Sequence, residues 1–224
     1  MNRWKAFTLH LLISLSVVSA TALAGLLLWY PHGVYRLADF DRILLIILAI
    51  DIVAGPLLTF IVYKQGKPSL KFDLSVIAAL QAAFFIYGLN TLAGGRPVFL
   101  VATDMRFNLV FANEIDDIAL RRASKPQWRH LSWTGPVIVG ARPPSDPEKR
   151  QDLLFSYMST GADIHQLPEH YVNYGEVAPR LLRSAEITPG NIPKVPLVSR
   201  YGIGLISLDP VTAAPDKAER SNSD

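Results

Sequence analysis

Three long apolar runs fill the first 95 residues, and behind them the pattern breaks into short β-prone runs separated by polar turns. Ala6 to Tyr30 is 25 residues without an Asp, Glu, Lys or Arg, enough to cross a bilayer with some tilt. Trp29 and Tyr30 close it as interfacial aromatics. Ala22-Leu23-Ala24 before Gly25 resembles a signal-peptide cleavage site, but the run continues through Leu26-Leu27-Leu28 and outlasts an ordinary signal core. A second run extends from Ile43 to Tyr63 with Asp51 as its only charge, and a third from Leu74 to Gly95 has none. Spans are therefore expected over 6–30, 43–63 and 74–95, in a membrane domain of residues 1–95. Pro31 to Arg42 reads as a short loop.

From Arg96-Pro97 the periods shorten. Val98–Thr103 and Phe107–Phe111 around Asp104-Met105-Arg106 predict a hairpin. Asn113 is expected to cap a helix from Glu114 to Ala123, with Asp116 and Asp117 in its first turn. Val137–Ala141 is a further strand. Ser145 is expected to cap a helix to Ser159 that carries Pro147 in its first turn. A helix over Gly175–Arg183 and a strand over Tyr201–Leu208 complete an α+β domain of residues 96–209. Residues 210–224, rich in Ala, Pro, Ser and charge, read as a disordered tail. The fold class is thus a membrane protein of three transmembrane α-helices followed by a small α+β periplasmic domain.

Charge orients it. Residues 1–95 carry 7 Lys/Arg against 4 Asp/Glu, whereas residues 96–224 carry 15 of each, so the basic pI comes from the membrane flanks and not from a nucleic-acid surface. Arg3, Lys5, Lys64, Lys67 and Lys71 collect on one side, against Arg36 and Arg42 on the other. The positive-inside rule makes the N-terminus cytoplasmic and the 96–224 domain external. Ser69 is expected to cap the third span, with Asp73 in its first turn.

The intramembrane residues hold the strongest chemical signal. Asp51 lies near the bilayer centre, where a charge is costly and normally faces other helices. Asp51, Gly55 and Thr59 recur every four residues on one small, polar face, and Pro56 frees the carbonyl of Ile52. Gln81, and Ser19 or Thr21, fall at matching depth as hydrogen-bond partners, and Ser16, Ala20 and Ala24 form a candidate facing surface. This cluster either orders the chain's own helices or receives a partner's transmembrane helix. A lone carboxylate makes a poor ion relay.

Elsewhere the chemistry is sparse. There is no cysteine, G-x-S-x-G, P-loop or G-x-G-x-x-G. His165 and His170, five residues apart with Asp163 and Glu169 near them, have the wrong spacing for two ligands on one helix face. Neither an enzyme nor a metal or other cofactor is expected.

Arg3-Trp4-Lys5-Ala6-Phe7, His10-Leu11-Leu12-Ile13-Ser14 and Trp29-Tyr30-Pro31 resemble the TfpX/TfpZ-type type IV pilin accessory proteins. So do Asp51 with Gly55-Pro56-Leu57-Leu58-Thr59, Lys67-Pro68-Ser69-Leu70-Lys71-Phe72-Asp73-Leu74, and Arg96-Pro97-Val98-Phe99. Leu167-Pro168 and Val195-Pro196-Leu197 match more loosely. The chain after Asp209-Pro210 departs from the closing strand pair of that pattern. The resemblance implies a multi-pass bacterial inner-membrane protein that stabilises or delivers type IV pilin, with membrane lipid and other pilus assembly proteins as further partners. A membrane-anchored periplasmic sensor is the alternative, disfavoured because the cytoplasmic segments are too short for an output module.

Overall fold

The structure, a computed structural model, describes residues 2–188 and 192–220. It forms two compact units: a helical unit of Met1–Leu27 with Asp39–Ala93, and a sheet unit of Leu28–Ala38 with Gly94–Asp224. The segment after the first span, expected as a plain loop, thus belongs to the sheet unit. It includes a 3-10 segment, Pro31–Leu37, that buries Val34 and Leu37.

In the helical unit, α1 (Arg3–Trp29) and α4 (Leu70–Gly94) are continuous. Between them one apolar helix, Phe40–Val62, consists of α2 (Phe40–Leu48), a π-helical turn (Ala49–Ala54) and α3 (Gly55–Val62). All three are long and apolar enough to cross a membrane. They begin three or four residues before the expected spans, because backbone hydrogen bonding carries a helix into its hydrated flank. Ser69 precedes α4, and its hydroxyl donates to Asp73 Oδ2 at 3.0 Å.

The face of α1 differs from expectation. Ala6, Ser14, Val18 and Gly25 are buried, whereas Ser16, Ala20 and Ala24 are exposed. The Ser16 hydroxyl donates to Leu12 O in its own helix at 2.8 Å, so its polarity needs no facing partner. On α4, Gly88 lets Ile47 approach: a Cβ there would sit 2.8 Å from Ile47 Cγ1.

The sheet unit is built from β1 (Pro97–Ala102), β2 (Phe107–Phe111), β3 (Val137–Ala141), β4 (Tyr171–Val172), β5 (Glu186–Thr188), β6 (Ile192–Ser199), β7 (Gly202–Leu208) and β8 (Pro215–Arg220). The strand order is β4-β3-β1-β2-β6-β7-β8, with β5 on β6. β1 and β2 form the expected hairpin and are buried throughout, as central strands covered on both faces should be. Helices α5 (Asp117–Arg121), α6 (Pro147–Thr160) and α7 (Ala178–Ser184) complete the unit. One core cluster joins Phe99, Val110 and Val139 to Trp128 and Tyr171, with the Phe99 and Tyr171 rings edge to face.

Several local expectations are corrected. Asp116, not Asn113, caps α5 by accepting from Ala119 N–H, because Ala112–Glu114 is a separate 3-10 turn. Asp146, not Ser145, caps α6 by accepting from Glu148 N–H. Tyr30 is 5 % exposed, packed inside the sheet unit and not at a lipid interface, and burial pushes its hydroxyl pKa up.

The stretch expected as a disordered tail contains β8, which pairs antiparallel with β7 from Gly204↔Arg220 to Leu208↔Pro215. Its turn is tied locally. Asp209 Oδ1 accepts from Val211 N–H, Thr212 N–H and the Thr212 hydroxyl, and the Tyr174 hydroxyl donates to Ala213 O at 2.5 Å. Residues 221–224 of the expected tail lie outside the described residues.

Candidate functional site: the intramembrane polar cluster

Asp51 sits inside the π turn, 6 % exposed, eleven residues from either end of Phe40–Val62. At the α-helical rise that is about 16 Å from each end, near mid-bilayer. The π turn follows from Pro56. Gly55 N–H bonds Ile50 O, five residues back. In that register the next donor would serve Asp51 O, but it belongs to Pro56, which has no amide hydrogen. Gln81 Nε2 on α4 donates to Asp51 O at 3.3 Å instead. The carbonyl that gains a partner is therefore that of Asp51 and not Ile52, because the wider turn moves the proline's defect back by one residue.

Gly55 makes this reach feasible. A Cβ there would overlap the Gln81 carboxamide, so only glycine leaves the amide its place. Gly55 and Pro56 are both buried. One turn further, Thr59 is 4 % exposed and its Oγ1 lies 2.6 Å from His10 Nδ1. Asp51, Gly55 and Thr59 are all buried, and at Gly55 and Thr59 side chains of the chain's own helices, Gln81 and His10, lie against them. Ser19 is exposed, and the Thr21 hydroxyl donates to Val17 O at 3.0 Å, so neither serves Asp51.

His10 was not among the expected cluster. Its signal was available: it is the one ionisable side chain within the first apolar run other than Tyr30, and it lies at the same end of its helix as Thr59 does of an antiparallel one.

Asp51 also lines a groove of about 640 Å³ between α2 and α4. Four isoleucines, Ile43, Ile46, Ile47 and Ile50, form one wall, and Ala83, Phe84, Tyr87, Gly88 and Thr91 form the other. Asp51 is its one carboxylate.

The basic anchors lie at or beyond the ends of the membrane helices. Arg3, Lys5, Lys64, Lys67 and Lys71 are all exposed. Arg3 lies over the Phe60 ring at 5.7 Å, and Lys67 pairs with Asp73 at 2.6 Å. Trp4 and Phe7 also pack on Phe60.

In the sheet unit, His165 and His170 each face one carboxylate, Asp163 at 3.3 Å and Glu169 at 3.8 Å. Among the described residues no three His, Asp or Glu side chains gather closely enough to hold a metal ion. An open cavity of about 530 Å³ lies between residues 113–122 and 161–169. Its Glu114 carboxylate accepts from Phe111 N–H at 2.7 Å, and burial pushes that carboxyl's pKa up.

Residues 1–36 match the family described as "Fimbrial assembly protein FimB". Over 182 residues the chain is 30 % identical to the fimbrial assembly protein, serogroup I, of Dichelobacter nodosus, spanning 80 % of this chain and 69 % of that one. The serogroup E1 protein of the same organism is 30 % identical over 176 residues, 77 % and 68 % of the two chains. The protein of serogroups C1 and C2 is 37 % identical over 97 residues, 42 % of this chain and 72 % of the relative. No solved structure matches the chain.

Proposed function

The chain belongs to the fimbrial assembly protein family, and from that premise we propose that it is an inner-membrane accessory protein of the TfpX/TfpZ type that receives a type IV pilin subunit and holds it for pilus assembly. A pilin awaiting assembly has one apolar transmembrane helix and a globular head, so a holder needs a site for each. The role is one of assembly and needs no catalysis.

The observation that carries this reading is the α2–α4 groove with Asp51 at its mid-membrane end. The pilin helix lies in this groove, and Asp51 meets a donor on it. Residues 97–208 contact the head. The exposed side chains of Leu154, Phe155 and Met158 on α6 supply apolar surface for that contact. Residues 28–38 and 94–224 fold as one unit, which supports their lying on one face of the membrane. With the basic residues at the other face, that is the arrangement of a cytoplasmic N-terminus and a periplasmic sheet unit.

Co-purification of pilin from membranes tests it, using Asp51→Asn and Ala83→Phe, the latter filling the groove from an exposed position. Both variants should keep the wild-type melting temperature in detergent, recover less pilin and reduce piliation. Undiminished pilin recovery and piliation with both would sink the groove as the pilin site.

A further inference from the structure

Three aromatic and cationic residues of the sheet unit meet, two of them next in the chain to where a membrane helix ends. Trp29, the last residue of α1, donates from Nε1 to the carbonyl of Trp133 at 3.0 Å. Gly135, at φ +96°, closes the same turn: a Cβ there would sit 3.3 Å from Leu28 O and 3.2 Å from Pro31 Cδ. The turn is therefore held against the residues that end the first span. Arg96, two residues beyond the end of α4, holds it from the other side. Its Nε donates to Ser132 O at 2.9 Å, and its guanidinium lies 3.8 Å from the Trp133 ring centroid.

The two partners differ sharply in exposure. Arg96 is 6 % exposed, while the Trp133 indole it supports is 62 % exposed. A large apolar ring with a single N–H donor, backed by a buried cation, is poorly suited to water. It is well suited to the headgroup region, where the ring meets acyl chains and the N–H meets water or ester oxygens.

We propose that the Ser132–Gly135 turn is a membrane contact, with Trp133 inserted at the headgroup–acyl boundary of the bilayer on the sheet unit's side. The depth follows from continuity. Trp29 ends a 27-residue helix that carries no Asp, Glu, Lys or Arg after Lys5, so its indole marks the interface, and the Trp133 carbonyl lies within hydrogen-bond reach of it. Trp133 adds a lateral point of attachment beyond the chain crossings.

The chain has no cysteine, so single cysteines report cleanly. Trp133→Cys and Thr134→Cys are spin-labelled in the full chain, purified into lipid nanodiscs without pilin. Met105→Cys, at the hairpin tip and 71 % exposed, is the aqueous control. The labels at 133 and 134 should favour dissolved oxygen over a water-soluble nickel chelate, and the unlabelled thiols should react several-fold slower with a charged maleimide than that of Met105→Cys. Nickel accessibility equal to the control at both positions overturns the proposal. Protection from nickel without oxygen enrichment also overturns it, because that is cover by protein and not by lipid. Trp133→Phe, which keeps a ring over Arg96, should lose a component of the tryptophan emission that shallow nitroxide lipids quench. Unchanged quenching counts against insertion in the same way.

Discussion

Asp51, Gly55, Pro56 and Gln81 work as one device. The proline removes a donor, the π turn shifts the defect to the Asp51 carbonyl, the glycine clears space, and the glutamine fills the vacancy. Gln81→Leu removes only the last step and should destabilise the helical unit by about 0.6–2 kcal/mol, the usual range for an interhelical hydrogen bond in a membrane. Gly55→Leu displaces the carboxamide as well as overfilling the crossing, and should cost about 1–3 kcal/mol more. Unfolding in mixed micelles of rising SDS content measures both, and equal stability of Gly55→Leu and wild type would refute the arrangement.

A second residue-level consequence lies in the sheet unit. Burial holds the His165 and His170 imidazoles below their ordinary range, against the opposing pull of Asp163 and Glu169. A depressed folded value means that the neutral rings' stabilisation is fully present above about 6.5, the unfolded value, and is lost as the pH falls through the lower folded values. The melting temperature of the sheet unit should therefore fall between about pH 7 and about pH 5. His165→Gln and His170→Gln should flatten that slope. Glu114, whose carboxyl is raised by burial, acts in the opposite sense as the pH falls toward its unfolded value, so the wild-type and His-variant curves, which share that contribution, are compared over this same interval. Parallel curves for wild type and the double variant would exclude the histidines as its cause.

Among the elements, β8 is the instructive one. It is an edge strand, and Lys217, Glu219 and Arg220 give it the charged surface that protects edges from pairing with other chains. Lys194 on β6 pairs with Glu219 at 2.8 Å. The turn leading into it depends on Asp209, whose hydrogen bonds from Thr212 and Val211 hold its carboxyl below the usual range. Asp209→Ala should loosen β8, seen as faster amide exchange at Ile206 and Ala218 while Val101 and Val110 stay protected. Unchanged exchange at both strands would show the turn to be dispensable.

The same strand explains what sequence patterning could and could not reveal. The three spans and the β1–β2 hairpin were legible because long apolar runs and bounded β-prone runs have few other readings. β8 was not, since a charged, Pro- and Ala-rich edge strand has the composition of a disordered segment. β6 was missed because Pro193 and Pro196 interrupt its run. Within the polar cluster, Asp51, Gly55, Thr59 and Gln81 were visible from spacing and depth. The His10–Thr59 contact and the π register were not, because both depend on how the helices rotate about their axes.

The molecule as a unit is more interlocked than its sequence of spans and strands implies. The sheet unit takes Leu28–Ala38 from between the first two spans, and Val34 and Leu37 are fully buried within it. His32 Nδ1 lies 2.8 Å from Asp216 O, and the Ser199 hydroxyl donates to Leu37 O at 2.7 Å. A fragment of residues 94–220 should consequently aggregate or melt well below the same fragment with residues 28–38 joined to it through a flexible linker. Equal melting of the two would show that the inserted segment is a passenger.

This insertion also has a timetable. His32 and Asp216 are 184 residues apart in the chain. At common rates of synthesis, on the order of ten seconds or more separate their appearance from the ribosome. Throughout that interval Val34 and Leu37 have emerged without the strand that will cover them. The segment laid down first is thus completed last, and a chain halted before β8 leaves an apolar handle on display for the cell's proteases and chaperones to read.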